Sequence, residues 1–220
     1  MVKYKKKRGI MYLIGQSQDL HQLVPGRILI LGGVTIKENI GLLGESDADV
    51  LLHAIIEAIL GSINEGDLGT HFAEEYIYWP DSDSQELLAY AIDLLDKRGY
   101  EIVNIDSLII CQNIFIRPYR LQMQENISKI TKCSRVNVKA TTNELQDSMG
   151  KGDSIVSQAI VQVKLKENSI DQIKAASEEV GLGKCQDKKD KVKIDIINKE
   201  VFACTGCFAL VQNCIQKRQL

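Results

Sequence analysis

Three histidines occur in the 220-residue chain: His21, His53 and His71. His21 follows Asp19 by two positions. In an extended segment residues i and i+2 share a face, so both side chains could reach one ion. His53 stands inside DADVLLHAIIEAILG (47 to 61), an apolar run in which a histidine is unusual. One carboxylate and two imidazoles make a zinc set, with the fourth position left for a substrate oxygen. The plain alternative is a surface Asp-x-His and a core histidine bonded to backbone. A second constellation is VKATTNE, Val138 to Glu144. Threonine hydroxyls and a carboxylate at a strand end can take phosphate oxygens and a hard cation such as magnesium. A polar strand end that caps the next element would look the same. Gly150-Lys-Gly-Asp153 reads as a turn carrying a solvated ion pair.

These groups need elements to hold them. IMYLIG (10 to 15) reads as a buried strand, and Pro25-Gly26 as a turn. RILILGG and VTIK, split at Gly32-Gly33, predict a β-hairpin. The run 47 to 61 is apolar almost all round, which predicts a buried helix ended by Gly61. Ser46 with Asp49 three residues on predicts a capping box with the serine at the N-cap. A second helix is expected from Ser84 to Arg98, with Gly99 just past its end. A strand is expected over 101 to 112 and a helix from Tyr119 to Ile130. RVNVKATT and SIVSQAIVQVKLK read as strands, the latter with Ile155, Ser157, Ala159, Val161 and Val163 on one face. Helices gathered on one face of a small sheet define an α+β protein.

Hydrophobic residues make up 45% of the chain and charged residues 25%, ordinary globular values. The length suggests one large domain or one domain with an appendage. Lys plus Arg is 27 against 29 Asp plus Glu, a net charge of -2, which argues against a nucleic-acid binder. No apolar run is long enough to cross a bilayer. The start, MVKYKKKR, is basic but not followed by a secretory-type apolar core, and the six cysteines do not form a secreted framework. A cytoplasmic setting is expected, with a plastid-type organelle as the eukaryotic variant.

The motifs IGQSQDLH (14 to 21), ILGGVTI (30 to 36), GLLGESDADVLLHAIIEAILG (41 to 61), GDLG (66 to 69), DSQELL (83 to 88), NVKATTNE (137 to 144) and GKGD (150 to 153) occur in one order and spacing. Together they make the chain from about Met11 to Lys166 resemble the 2-C-methyl-D-erythritol 2,4-cyclodiphosphate synthase family of non-mevalonate isoprenoid biosynthesis. The resemblance implies a ferredoxin-like α+β subunit, with helices on one face of a four-stranded sheet, assembled as a homotrimer with active sites between neighbours. It implies zinc, or another divalent transition metal, on Asp19, His21 and His53. It implies magnesium or manganese with the substrate diphosphate, contacted by Glu144. Ser46 would meet a phosphate, and Thr142 and Glu144 would join it in catalysis. Asp67 and Gly69 would hold the methylerythritol part. Ala140, Thr141 and Thr142 would line the cytidine-diphosphate side. Lys151 and Asp153 match an Arg/Glu pair that, in some members, faces the trimer axis and binds an isoprenoid diphosphate.

The sequence departs from the family pattern near the substrate. The entry to the strand reads Gly15-Gln16-Ser17-Gln18-Asp19, and a His-Ser pair reads Glu45-Ser46. The loop after Phe72 reads Ala73-Glu74-Glu75-Tyr76, with Pro80 and Asp81 further along in place of a lysine and a glycine. Asn113-Ile114-Phe115 replaces an Ala-Pro-Lys segment, with Arg117 nearby. These changes leave a second reading open: a trimeric metal-binding homologue that serves as a binding or scaffold protein. The expected organisation is a basic segment over 1 to 9, a synthase-like domain over 10 to 167 and an extension over 168 to 220. In that extension Cys204-Thr-Gly-Cys207, with Cys185 and Cys214, reads either as a metal or redox site or as small hydrophobes in an apolar element.

Overall fold

The computed structural model describes residues 12–44, 46–72 and 83–166. Glu45, the loop 73–82, the basic N-terminal segment and the cysteine-bearing extension lie outside the described residues. The chain forms strand β1 (Tyr12–Pro25), a hairpin of β2 (Leu29–Leu31) and β3 (Val34–Lys37), and strand β4 (Ile40–Leu42). Helices α1 (Val50–Ser62), α2 (Leu68–Phe72) and α3 (Ser84–Lys97) follow. Strand β5 (Tyr100–Ile110), a 3-10 turn (Arg117–Tyr119), α4 (Arg120–Thr131), β6 (Val136–Thr141), α5 (Asp147–Lys151) and β7 (Ser154–Leu165) complete it.

The main sheet has the order β4-β1-β7-β5-β6. It is mixed: β1 runs antiparallel to β4 and β7, and β5 runs parallel to β6. Four strands were expected. The fifth, β4, is three residues of Ile-Gly-Leu, too short to show a period in sequence. It adds to the C-terminal end of β1, with Leu23 opposite Leu42. β1 is also longer than the 10 to 15 segment expected, and its register with β7 runs from Tyr12↔Lys164 to Gln22↔Ser154.

Alternation along β1 sends Gly15, Ser17, Asp19 and His21 toward the helices, and Tyr12, Ile14, Gln16, Gln18 and Leu20 to the opposite face. α1 packs on β1 and against α3, while α4 packs on β6 and α3. α1 is buried on nearly every side, as its composition requires. Its approach to β1 is fixed at Gly15, where an added Cβ would sit 1.8 Å from the Ala58 carbonyl oxygen. The opposite sheet face leaves Tyr12, Ile14, Leu20 and Ile160 exposed. There Gln158 Nε2 donates to Gln18 Oε1 at 2.8 Å.

The start of α1 differs from the capping-box expectation. Ala48 takes φ 54, a left-handed conformation, so helical geometry cannot begin before Asp49. Asp49 is therefore the N-cap, and its side chain accepts from Leu51 and Leu52 N–H. The same carboxylate accepts from Gly32 N at 3.0 Å and Gly33 N at 2.8 Å. Burial pushes this carboxyl up, against the pull of the backbone donors. Gly32 and Gly33 both have positive φ, as a two-residue hairpin turn of this hand demands. One buried side chain thus ties the hairpin tip to the helix start. The Gly150–Asp153 stretch, expected as a turn, is the end of α5 followed by Gly152 at φ 81.

Candidate active site

Asp19 and His21 stand two apart on the inner face of β1, and His53 lies one turn inside α1. Docking of α1 on β1 brings the three together. Asp19 Oδ2 is 3.3 Å from His21 Nε2 and 3.1 Å from His53 Nδ1. One ligand atom from each residue falls within 4.8 Å of the others. The remaining ring nitrogens are tied back. His21 Nδ1 pairs with the Leu43 carbonyl, which β4 places beside it. His53 Nε2 lies 2.9 Å from Ser84 Oγ and 3.4 Å from Ser46 Oγ.

Charge also suits a cation. Burial alone would raise the Asp19 carboxyl, but hydrogen bonds from His21 and His53 outweigh it and hold the group well below the usual carboxylate range. Asp19 is thus an anion at neutral pH. The Asp19 bond in turn raises His21 above its ordinary 6.5. A ligating imidazole must be neutral, so protons compete with metal below that raised value. Metal affinity should therefore be flat at higher pH and fall about tenfold per unit once His21 begins to protonate, a transition starting above 6.5. Chelator competition between pH 5.5 and 8.5 measures this, and an affinity unchanged across that range would contradict it.

The other candidate residues form separate groups. Thr142 Oγ1 donates to Glu144 Oε1 at 2.7 Å, just past the end of β6. Glu144 and Leu145 hold φ 50 and 62, and such non-glycine positions cost about 1–3 kcal/mol each. Ala140 and Thr141 are the exposed last residues of β6. Asp67 Oδ1 accepts from Thr70 N–H and Thr70 O–H, at 2.8 and 2.7 Å, and these bonds hold its carboxyl low. Gly69 lies exposed in α2. Lys151 ends α5 and is exposed, and the Asp153 carbonyl accepts from Leu23 N–H at 2.8 Å. Phe115, where the family pattern has lysine, is 71% exposed.

The sheet order separates two of these groups. Asp19 and His21 are on β1, while Ala140 and Thr141 are on β6, three strands away. At about 4.8 Å per strand, that is roughly 14 Å across the sheet. The sequence reading also missed two residues beside the Asp19, His21 and His53 group, Asp47 and Ser84. DSQELL was visible as a motif, and in the structure its Asp83 is the N-cap of α3. No sequence signal said that the serine would be fully buried beside His53.

A mixed-sheet α+β domain with an Asp-His-His cluster and a Thr-Thr-x-Glu strand end has close relatives. The YgbB family model matches residues 12–164, and the chain belongs to that family. The 2-C-methyl-D-erythritol 2,4-cyclodiphosphate synthase of Geobacillus kaustophilus (strain HTA426) is 49% identical over 153 residues, 69% of this chain and 97% of that protein. Among solved structures, the IspF protein of Plasmodium falciparum in complex with CDP matches with TM-score 0.63 and 31% identity, over 71% of this chain and 97% of its own. The bifunctional IspDF of Campylobacter jejuni matches with TM-score 0.69 and 32% identity. There the match covers 71% of this chain and 43% of the bifunctional protein.

Proposed function

We propose that this chain is a 2-C-methyl-D-erythritol 2,4-cyclodiphosphate synthase, a phosphorus–oxygen lyase of non-mevalonate isoprenoid biosynthesis. The substrate is 4-diphosphocytidyl-2-C-methyl-D-erythritol 2-phosphate. An oxygen of its 2-phosphate attacks the β-phosphorus, the bond from that phosphorus to the oxygen bridging it to the α-phosphorus breaks, and CMP leaves as the cyclic diphosphate closes. The observation that carries this reading is the convergence of Asp19 and His21 with His53, 34 positions from Asp19 in the chain.

Asp19, His21 and His53 would hold zinc or another divalent transition metal, which when bound supplies Lewis-acid neutralisation of phosphate charge. Glu144 would hold magnesium or manganese with the substrate diphosphate. Ser46, next to His53, offers a hydroxyl to a phosphate. Thr141 and Thr142, with Ala140, line the cytidine-diphosphate side, and Asp67 and Gly69 hold the methylerythritol part. The protein's work is to fold the substrate so that attacking and leaving oxygens lie in line. Glu144→Gln keeps the shape and removes the charge. It should lower CMP release by about 100-fold and shift half-saturation by magnesium upward. An unchanged magnesium dependence would remove Glu144 from that role.

Homotrimeric assembly with sites between neighbours is part of the proposal. Its support is the distance between β1 and β6 and the apolar face left open by Tyr12, Ile14, Leu20 and Ile160. Lys151 and Asp153 would then face the trimer axis as a site for an isoprenoid diphosphate. The setting proposed is the cytoplasm; among the described residues no helix is long and apolar enough to cross a membrane. Complementation tests the shared sites. His21→Ala and Glu144→Gln chains, each impaired alone, should recover activity when co-expressed, because roughly a quarter of randomly assembled sites would combine two intact halves. No recovery in mixed trimers would place each site within one chain.

The decisive assay is CMP release with zinc and magnesium present, set against a His53→Ala control. Protein that contains metal yet releases CMP no faster than that control would support the scaffold reading, for which the exposed Phe115 is the observation in hand.

A further inference from the structure

The DSQELL motif has no task in the reaction described above, yet its serine is fully buried against the metal cluster. We propose that Asp47 and Ser84 form an outer relay that fixes which ring nitrogen of His53 is offered to the metal. The inference rests on the metal reading of Asp19, His21 and His53.

Proton counting carries the argument. Ser84 Oγ bonds Asp47 Oδ1 on one side and lies 2.9 Å from His53 Nε2 on the other. An ionised carboxylate only accepts, and a hydroxyl has one proton. The Ser84 proton is therefore committed to Asp47. Ser84 Oγ is left with lone pairs toward His53, so Nε2 must carry the hydrogen and donate. Nδ1 pairs with Asp19 Oδ2 at 3.1 Å until a metal replaces the proton between them, and with Nε2 keeping its own hydrogen it is the atom left for the metal. Asp47 cannot rotate out of this duty: Oδ2 accepts from Ser84 N–H at 3.0 Å, and Oδ1 also accepts from Asp49 N–H at 3.1 Å. Ser46 Oγ, at 3.4 Å from the same Nε2, is the longer contact, and it already accepts from Ala48 N–H. Carboxylate partners behind ligating histidines commonly set ring orientation and basicity; here a serine carries that influence one bond further.

The first test needs no variant. In the zinc-loaded full chain, long-range nitrogen–proton spectra should show His53 with Nε2 protonated and slow to exchange, and Nδ1 on the metal. Zinc on Nε2 of His53 would overturn the proposal. The second test is zinc affinity by chelator competition. Ser84→Ala should weaken zinc about 10- to 100-fold, and Ser84→Thr, which keeps the hydroxyl, should restore it to within a few-fold. Asp47→Asn should weaken zinc by a similar factor, and the double variant should be little worse than either single one, as for residues acting through each other. Wild-type affinity in folded Ser84→Ala, or fully additive losses, would overturn the relay. Failure of the wild-type chain to bind zinc at all would instead overturn the metal reading on which it stands.

Discussion

His21→Ala should abolish stable metal retention and lower CMP release by roughly 1,000-fold, while the protein stays folded. Lewis-acid stabilisation of a phosphoryl transition state supplies several kcal/mol, and each 1.36 kcal/mol is a factor of ten, which together give that size. The variant removes one of three protein ligands, and two ligands rarely hold a catalytic zinc against buffer. Folding should survive because the side chain is only partly buried, at 23% exposure, and its outer bond is to the Leu43 carbonyl near the surface. Metal analysis of the purified variant, its CMP release rate and its thermal midpoint separate these effects. Full metal occupancy with an unchanged rate would sink the assignment of His21.

Gly15→Ala should be the most destabilising single-methyl change in the described residues. The new Cβ would meet Ala58 O at 1.8 Å, Ser62 N at 2.7 Å and Ala58 C at 2.9 Å. All three are backbone atoms of α1, so no rotamer relieves the clash, and the helix must move off the strand. Overpacking of a core costs 1–3 kcal/mol and sometimes more; a loss of about 3 kcal/mol is expected here, a drop of roughly 10 °C in thermal midpoint. Metal affinity should fall too, because β1 carries Asp19 and His21 while α1 carries His53. Gly61→Ala is the control. Nothing lies within 4 Å of its added methyl, and it should be neutral or stabilising by up to about 1 kcal/mol. Equal midpoints for the two variants would contradict the close approach at Gly15.

Much of this was readable from residue order, for local reasons. The hairpin was legible because two adjacent glycines between β-branched runs have few other uses. α1 was legible because a run apolar on all sides must be interior. Its start was not, since alanine at 48 gives no hint of a left-handed turn. Asp19 and His21 could be paired from strand geometry alone. The arrival of His53 depends on how α1 settles over Gly15, a long-range fact. The braces behind the ligands were invisible for the same reason: Leu43 contributes only a backbone carbonyl, and Ser84 comes from 31 residues away.

The alternation along β1 has a consequence for how this chain can change over time. Its two faces carry unrelated residues, Asp19 and His21 on one and an exposed polar and apolar surface on the other, along a single ladder with β7. Inserting or deleting one residue between Gly15 and Asp19 would turn every later side chain over, exchanging Asp19 and His21 with Gln18 or Leu20. Unless a β-bulge absorbs the change, both faces would fail at once. In natural variants, length differences should therefore gather in loops and termini, and this strand should keep its residue count even where its letters drift.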